Sequence, residues 1–312
     1  MKKKSCLAAA WIACLVAMSL ACAQKPASTM VFTVSVEQPS KAFHVVFRCD
    51  GLTGATHDFK MPAWMPGFYR LTDYAKNVEN FRAEDGEGKP LAWERVADNT
   101  WRVGSDQAPV ITVTYDVQTG SQSVGGSYVE EERGLIRPVG MFMHVGGQVQ
   151  HPVTVTIVPA PKWSTFATGL DPVSADRPHT YAAPDFDILY DSPILMGKLE
   201  SLPPFEIQGV PHYFYGYNLG VADPAGFMKD LKAAVEAGIA IFGEVPYKHY
   251  TFLAINPTGG GIEHLNSTTV GFNGATLNTR LGRINVLRLL AHEYFHHYNV
   301  KRIRPIVLGP FD

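Results

Sequence analysis

The sequence has little charge and no excess of basic residues. Only 18% of its 312 residues are Asp, Glu, Lys or Arg, whereas an average chain has about 25%. The 27 Lys and Arg residues stand against 29 Asp and Glu residues, for a formal net charge of −2. This balance argues against a nucleic-acid partner bound through a broad basic face. Because 46% of the residues are apolar, the chain can bury a large core, which excludes a wholly disordered or fibrous protein.

Long apolar runs are also absent, except at the amino terminus. Lysines at 2–4 precede an uncharged apolar stretch at 7–20, and small residues follow at 21–23. This pattern predicts a secretory signal peptide over residues 1–23, and hence a periplasmic or secreted protein without a membrane span after cleavage. The stretch is shorter than the roughly 20 residues of a membrane-spanning helix, which disfavours an uncleaved anchor. A lipoprotein acylated at Cys22 is the remaining alternative.

Cysteine is scarce once this segment is removed. Cys6, Cys14 and Cys22 leave with the predicted signal peptide, so Cys49 is the only thiol of the mature chain. A disulfide within the mature chain is therefore excluded, although the expected compartment is oxidising. Cys49 follows an alternating apolar run, and we expect it to be a small buried hydrophobic residue rather than a nucleophile.

Residues 29–201 contain no helix-period pattern of useful length. They carry short runs with period-two alternation that are separated by glycine-rich turns. Four such runs are predicted strands: Met30–Val36, Ala42–Arg48, Val110–Val117 and Val153–Val158. The pattern predicts a β-rich amino-terminal domain over 29–201, built as an antiparallel sandwich or a saddle-shaped sheet.

The pattern changes in residues 205–312, which we predict to form a second domain. A helix is expected to begin with Asp223 as its N-cap and to end near Gly243. A strand at Tyr250–Ile255, a glycine run and a further strand at 266–272 follow. A second helix is predicted from Ile284 to about Val300, with a core-facing stripe of Ile284, Leu287, Ala291, either Tyr294 or Phe295, and Tyr298. The fold class is therefore α+β.

The second helix contains an H-E-x-x-H sequence, formed by His292, Glu293 and His296. Two histidines four residues apart lie above each other on one helix face, so that both imidazoles can bind one Zn²⁺ ion. Glu293 is turned away from both and can serve as a general base for a zinc-bound water. The alternative is an amphipathic helix whose histidines are solvated. We expect His297 to point elsewhere and not to be a ligand.

A second motif, at 259–264, reads GGGIEH and follows the predicted strand. Gly260 and Gly261 would allow another backbone to approach closely, and Glu263 could receive a positive group such as the free α-amine of a peptide. The alternative is a plain glycine turn with an exposed acid. The segment lacks the lysine and hydroxyl residue of a phosphate-binding loop.

Residues 292–305, HEYFHHYNVKRIRP, resemble the zinc-site helix of the M61 peptidases, the glycyl aminopeptidase family. Residues 308–312 continue this similarity, and residues 260–267, GGIEHLNS, are similar to the family's glycine–glutamate segment. Three further segments resemble the family's amino-terminal domain: 62–69, 74–78 and 189–193.

The resemblance implies a β-rich domain followed by a thermolysin-like (gluzincin) catalytic domain, and a zinc peptidase that removes amino-terminal residues from peptides. It assigns His292 and His296 to the metal, Glu293 to the general base and Glu263 to the substrate's amino terminus, with Gly260 and Gly261 as further substrate-binding residues. An endopeptidase on the same scaffold and a non-catalytic peptide-binding β-domain are the alternatives.

The sequence differs from the family pattern at its carboxyl end. The third zinc ligand of the family is a glutamate in a later Trp-x-x-Glu-Gly-like stretch, and no glutamate follows His296 here. The family's usual carboxyl-terminal PDZ domain is also missing. Catalytic zinc sites use three protein ligands. We therefore expect a fragment that contains the first part of the catalytic domain and that is inactive by itself.

Overall fold

The computed structural model describes residues 28–36, 41–65, 70–120, 122–255 and 259–306. The predicted signal peptide with Cys22 lies outside the described residues, as do 66–69 and 308–312 of the segments that resemble the M61 family. Within the described ranges, no helix has the length and apolar character needed to cross a membrane.

Fifteen strands, one short α-helix and two single-turn 3₁₀ helices (Ala75–Asn77 and Pro138–Gly140) are described before residue 200. The strands are β1 (Thr29–Val36), β2 (Ala42–Asp50), β3 (Thr56–Lys60), β4 (Val78–Asp85), β5 (Trp93–Ala97), β6 (Thr100–Gly104), β7 (Val110–Gln118), β8 (Tyr128–Val129), β9 (Arg133–Ile136), β10 (His144–Val145), β11 (Val153–Ile157), β12 (Thr165–Thr168), β13 (Asp171–Pro172), β14 (Thr180–Ala183) and β15 (Ile194–Gly197). The α-helix is α1 (Phe186–Tyr190), which begins after Asp185, whose carboxylate accepts a hydrogen bond from the Ile188 amide.

These strands form three sheets around one hydrophobic core. The largest has the order β13-β14-β11-β1-β2-β7-β4, and the smaller two have the orders β10-β3-β6-β5 and β12-β15-β9-β8. Alternation along β1 and β2 directs Phe32 and Phe47 to the same face, where their rings stack with centroids 4.0 Å apart. Cys49 is fully buried in this core, as the sequence predicts. The predicted antiparallel pairing has one exception, because β1 pairs with β11 in parallel.

The remainder of the described chain contains six strands and two longer helices. They are β16 (Glu200–Ser201), β17 (Phe205–Ile207), β18 (Val210–Gly216), β19 (Tyr250–Ile255), β20 (Gly261–Glu263), β21 (Ser267–Gly271), α2 (Pro224–Phe242) and α3 (Arg280–Phe295). The sheet order is β16-β18-β19-β21-β20, with β17 also paired to β18. Strand β20 is thus an edge strand that runs antiparallel to β21.

Strand β19 is buried on both faces and connects two cores. Phe252 and Ala254 face a core that is shared with α2 and α3. Leu253 and Ile255 face the other way and pack in a cluster with Leu135 and Leu195 of the amino-terminal sheets. Because successive side chains of β19 point to opposite faces of the sheet, this strand packs against both parts of the chain. The exact division near residues 201–205 stays a prediction.

Helix α2 follows the sequence prediction closely, whereas α3 does not. Asp223 caps α2 by accepting the Gly226 amide, and Gly243 ends it with φ +79°. Helix α3 begins at Arg280, four residues before the predicted start, and ends at Phe295 instead of Val300. The predicted core-facing stripe is wrong at Ile284, whose side chain is 50% exposed. Thr279 starts the helix earlier, because its hydroxyl accepts the Gly282 amide.

Candidate metal and peptide site

Helix α3 turns one side to the core and leaves its histidines on the other. Leu290 and Tyr294 are buried, and the Tyr294 ring lies 4.9 Å from that of Tyr250, centroid to centroid. His292, two residues after Leu290, is exposed, and His296 is half-buried. Packing of the apolar side thus fixes the rotation of the helix that presents both imidazoles away from the core.

The two histidines converge on one point. Their Nε2 atoms lie 3.1 Å apart. Two nitrogens bound to one tetrahedral zinc at about 2.0–2.1 Å would lie about 3.3 Å apart, so the pair fits a shared metal ion. The Nδ1 of His296 lies 2.9 Å from the carbonyl oxygen of Asn299. A carbonyl only accepts, so Nδ1 carries the proton and Nε2 keeps its lone pair for a metal.

No third ligand completes this pair among the described residues. Across those ranges, no group of three or more His, Cys, Asp and Glu side chains is arranged to hold a metal ion. His297 does not point at the pair, as the sequence predicts. Its ring is fully buried, and its Nδ1 is hydrogen-bonded to the carbonyl oxygen of Tyr294.

Glu293 is the buried member of the H-E-x-x-H sequence. Only 5% of the Glu293 surface is exposed to solvent. Burial and then the neighbouring negative charge of Glu263 raise its pKa to about 7, against an opposing effect of His296. Glu293 therefore binds and releases a proton near neutral pH, which is the range that suits a general base.

Strand β20 lies directly against this carboxylate. A Cβ atom placed on Gly261 would come within 2.5 Å of the Cδ and 2.6 Å of the Oε1 of Glu293. Glycine therefore lets the strand lie next to the Glu293 side chain, since a Cβ at this position would force the strand or that side chain to shift. Gly260 precedes the strand with φ +89° and accepts a hydrogen bond from the Gly271 amide through its carbonyl oxygen. The structure thus brings Gly261 and Glu263 to Glu293, whereas Gly260 lies exposed at the start of the strand.

A cleft of about 680 Å³ extends from Glu263 toward the amino-terminal sheets. Its other walls include Tyr74 and Arg137. Arg137 is 6% exposed, and its guanidinium carbon lies 5.9 Å from the centroid of the Tyr74 ring. Burial lowers the pKa of Arg137, and Glu263 and Asp191 act in the opposite direction. The cleft is therefore lined by the Glu263 carboxylate and by the Arg137 guanidinium, whose Nη1 donates to the Gly125 carbonyl oxygen.

Sequence reasoning missed Arg137 and gave no role to Asp191 and Lys301. Asp191 and Lys301 form a buried ion pair beside the site, with Nζ and Oδ1 2.8 Å apart. These side chains come together from positions far apart in the chain, and no local pattern marks them. The sole signal in the sequence was that 189–193 and 292–305 belong to the segments with a family resemblance.

Two families of sequences match the chain. The Peptidase M61 N-terminal domain matches residues 31–198, and the M61 glycyl aminopeptidase family matches residues 285–312. The first match alone covers more than half of the chain. A search of curated proteins finds no match.

Solved structures show the same fold. An aminopeptidase N family protein from Idiomarina loihiensis superposes with a TM-score of 0.84 at 26% identity, over 91% of this chain and 50% of that protein. Legionella pneumophila aminopeptidase A, in complex with aspartic acid, superposes with a TM-score of 0.55 at 13% identity, over 86% of this chain and 34% of that protein. The chain thus spans half or less of the length of these relatives. On the strength of both sequence matches and its fold, the chain belongs to the M61 peptidase family.

Proposed function

We propose that this protein is a zinc-dependent aminopeptidase that removes amino-terminal residues from peptides. One observation carries the proposal: the edge strand with Glu263 lies against the helix with His292, Glu293 and His296. An acid for an α-amine, a general base and a histidine pair are then adjacent. The predicted signal peptide supports action outside the cytoplasm.

The histidine pair supports zinc as the cofactor. His292 and His296 would hold the ion through their Nε2 atoms, and the family resemblance assigns the third ligand to a glutamate of a later helix. When bound, zinc supplies a Lewis acid that polarises the scissile carbonyl and acidifies a water molecule. Imidazole nitrogen is a ligand that zinc accepts readily, so the donor set agrees with the assignment.

Glu293 would move the proton of the reaction. Its carboxylate is placed between the histidine pair and the edge strand, where a peptide bond would lie. There it accepts a proton from the attacking water and delivers it to the nitrogen of the departing amine. The close contact with Gly261 holds the carboxylate in position, because little free space remains on that side.

Glu263 would select the amino terminus. Its carboxylate is half-buried at the end of β20 and lines the cleft. A protonated α-amine paired with it fixes the first residue of a peptide next to Glu293. A cleft that excludes water makes the loss of such a pair costly, because the amine is then desolvated without a partner.

The test compares one short peptide in free and N-acetylated form. In the active protein, Glu263→Ala is expected to lower kcat/KM for the free peptide by about 10²-fold or more, as for the loss of a hydrogen-bonded charge. The acetylated peptide is expected to change little. Glu94→Ala, on the exposed strand β5, is the control and should leave both values unchanged. Equal proportional losses on both peptides would show that Glu263 does not bind the amine.

An endopeptidase is the second candidate. The cleft does not end at Glu263 but continues along Tyr74 and Arg137. This space could accept residues that precede the scissile bond. If the acetylated peptide is cleaved faster than the free one by the unaltered protein, the endopeptidase assignment replaces the first.

A further inference from the structure

Asp191 is the centre of a buried polar cluster that neither the metal nor the general base explains. Its carboxylate accepts three hydrogen bonds: Oδ1 from Lys301 Nζ at 2.8 Å and from His264 Nδ1 at 3.1 Å, and Oδ2 from the Leu265 amide at 2.8 Å. Asp191, His264 and Lys301 are 7%, 2% and 5% exposed. We call these residues, with Arg302, the Asp191 cluster.

The cluster joins three separate parts of the chain. Asp191 ends α1 in the amino-terminal part. His264 comes directly after Glu263, 73 positions along, and Lys301 follows the histidine helix, 110 positions along. One carboxylate therefore fixes the strand that carries Glu263 and the segment that follows His296 to the same point.

Arg302 strengthens this connection on the carbonyl side. Its Nη1 donates to the carbonyl oxygen of Leu265 at 2.9 Å and to that of His297 at 2.8 Å. The turn after Glu263 is thus bound at the Leu265 amide by Asp191 and at the Leu265 carbonyl by Arg302. The amide and the carbonyl of one residue are held by two different side chains, which leaves that turn little freedom to move.

The charges of Asp191 and Lys301 compensate each other. Burial by itself raises the pKa of Asp191, but Lys301 and His264 lower it below its usual value, so the carboxylate is ionised. Burial lowers the pKa of His264, against Asp191. A buried ion pair contributes little net stability compared with apolar residues of the same volume. What such a pair does supply is a fixed geometry between the elements that it joins.

We propose that Asp191 is a positioning residue for amine recognition: with Lys301 and Arg302 it holds Glu263 at the distance from Glu293 that a peptide's first residue requires. The inference rests on the proposed function of Glu263. A Cβ atom on Gly261 would lie only 2.5 Å from the Glu293 Cδ, so the strand that carries Glu263 is a direct neighbour of the general base. A misplacement of about 1 Å can cost about 10²-fold in rate.

The experiment uses the neutral pair Asp191→Asn with Lys301→Met, which leaves no unpaired charge in the interior. The readout, in the active protein, is selectivity, the ratio of kcat/KM for a free peptide to that for its N-acetylated form. We expect the pair to lower selectivity by about tenfold or more, and to change it less than about twofold when Glu263→Ala is already present. Asp58→Asn, which removes a carboxylate paired with Arg102 far from the cluster, should leave selectivity unchanged.

A second measurement does not depend on turnover. Hydrogen exchange of the Gly261–Glu263 amides should accelerate in the neutral-pair variant while the amides of β1 and β2 keep their protection. Retained selectivity together with unchanged exchange in a folded variant would overturn the proposal. If Glu263→Ala alone leaves selectivity unchanged, the proposed function fails, and accelerated exchange would still show the strand to be held by Asp191.

If the variant with Asp191→Asn and Lys301→Met does not fold, Arg302→Met takes its place in the experiment. This substitution removes the bond to the Leu265 carbonyl and keeps the Asp191–Lys301 ion pair. The same loss of selectivity is expected, and its absence would count against the positioning role.

Discussion

At the scale of single residues, the site depends on which nitrogen or oxygen carries a proton. The contact of His296 with the Asn299 carbonyl leaves its Nε2 available for a metal. The burial of Glu293 raises the pKa of its carboxyl group to about 7. Hydrogen-bond partners and desolvation thus decide what each side chain can do. Three predictions follow from such local environments.

In the active protein, which contains the third ligand, His296→Ala is expected to abolish tight binding of zinc. One imidazole remains after the substitution, and a single protein ligand from this helix cannot hold the ion. Equilibrium dialysis against Zn²⁺ with metal analysis measures the loss. His249→Ala is the control, because His249 lies beside Tyr213, away from the histidine pair. The His249→Ala variant should bind zinc as the unaltered protein does. Stoichiometric zinc in His296→Ala would refute the assignment.

Glu293→Gln is expected to retain zinc and to lose peptide hydrolysis. The amide keeps the shape of the side chain against Gly261 but cannot accept the proton of the attacking water. General acid–base groups contribute about 10²–10⁴-fold to rates, and kcat should fall by that amount with the metal content unchanged. A decrease of less than tenfold would assign the role of base to another residue.

His212 is expected to make the stability of the fold depend on pH. It is fully buried, with Nδ1 3.0 Å from the Val210 carbonyl oxygen and Nε2 2.8 Å from the Tyr247 hydroxyl. Burial lowers its pKa to about 4 from an ordinary 6.5, so the unfolded chain takes up the proton first as pH falls. Its contribution is complete above about pH 6.5 and is lost as the pH approaches 4.

Urea unfolding at pH 7.5 and pH 4.5 measures this contribution. At about 1.4 kcal/mol per pKa unit, the unaltered chain should lose about 2–3 kcal/mol more between these pH values than His212→Gln, whose amide stays neutral at both. Parallel losses in the two proteins would show that His212 is not the titrating group.

At the scale of elements, the site is a contact between an edge strand and a helix. Strand β20 approaches α3 so closely that no side chain fits between Gly261 and Glu293. The strand is short and lies at the edge of its sheet, so one face of its backbone can receive an extended peptide. The geometry of the proposed site is therefore set by backbone spacing as much as by side chains.

Gly261→Ala is expected to damage activity without unfolding the protein. The added methyl group would lie about 2.5 Å from Glu293 atoms, so the strand or the carboxylate must shift. Such a shift displaces both Glu263 and the general base, and we expect kcat/KM to fall by about 10²-fold. Gly88→Ala is the control, because it adds a methyl group at an open position with φ +81°. It should lower stability and leave activity unchanged. Full activity of Gly261→Ala would show that the Glu293 side chain makes room for the methyl group without loss of function.

The elements differ in how well the sequence predicts them. Helix α2 could be placed because its N-cap, first proline and final glycine are all local signals. The end of α3 could not, because the chain leaves the helix at His296 to reach contacts of Lys301 and Arg302 with distant residues. The site residues show the same contrast. The H-E-x-x-H residues are recognised by their spacing. Asp191 is not, since its partners lie 73 and 110 positions away.

At the scale of the whole molecule, the two cores are joined by a shared apolar cluster. Leu253 of β19 is fully buried and packs with Leu135 and Leu195, each 1% exposed. The ion pair of Asp191 and Lys301 connects the same two parts. We therefore expect the parts to unfold together, as a single cooperative unit.

Leu253→Ala tests this coupling. The substitution should cost about 2–5 kcal/mol through lost burial and the cavity left behind. The described tryptophans all lie before residue 164, whereas α2 and α3 lie after residue 223, so fluorescence and helix ellipticity report on different parts. Both signals should shift by the same amount on a urea axis. A shift in helix ellipticity alone would show that the two parts unfold separately.

The Asp191–Lys301 pair also has a consequence for biosynthesis. A ribosome completes Asp191 110 residues before it adds Lys301. Until Lys301 follows, burial of the Asp191 carboxylate has no cation to offset its desolvation. We therefore expect this position, and with it the turn after Glu263, to become buried only once the segment through Lys301 is available to the folding chain.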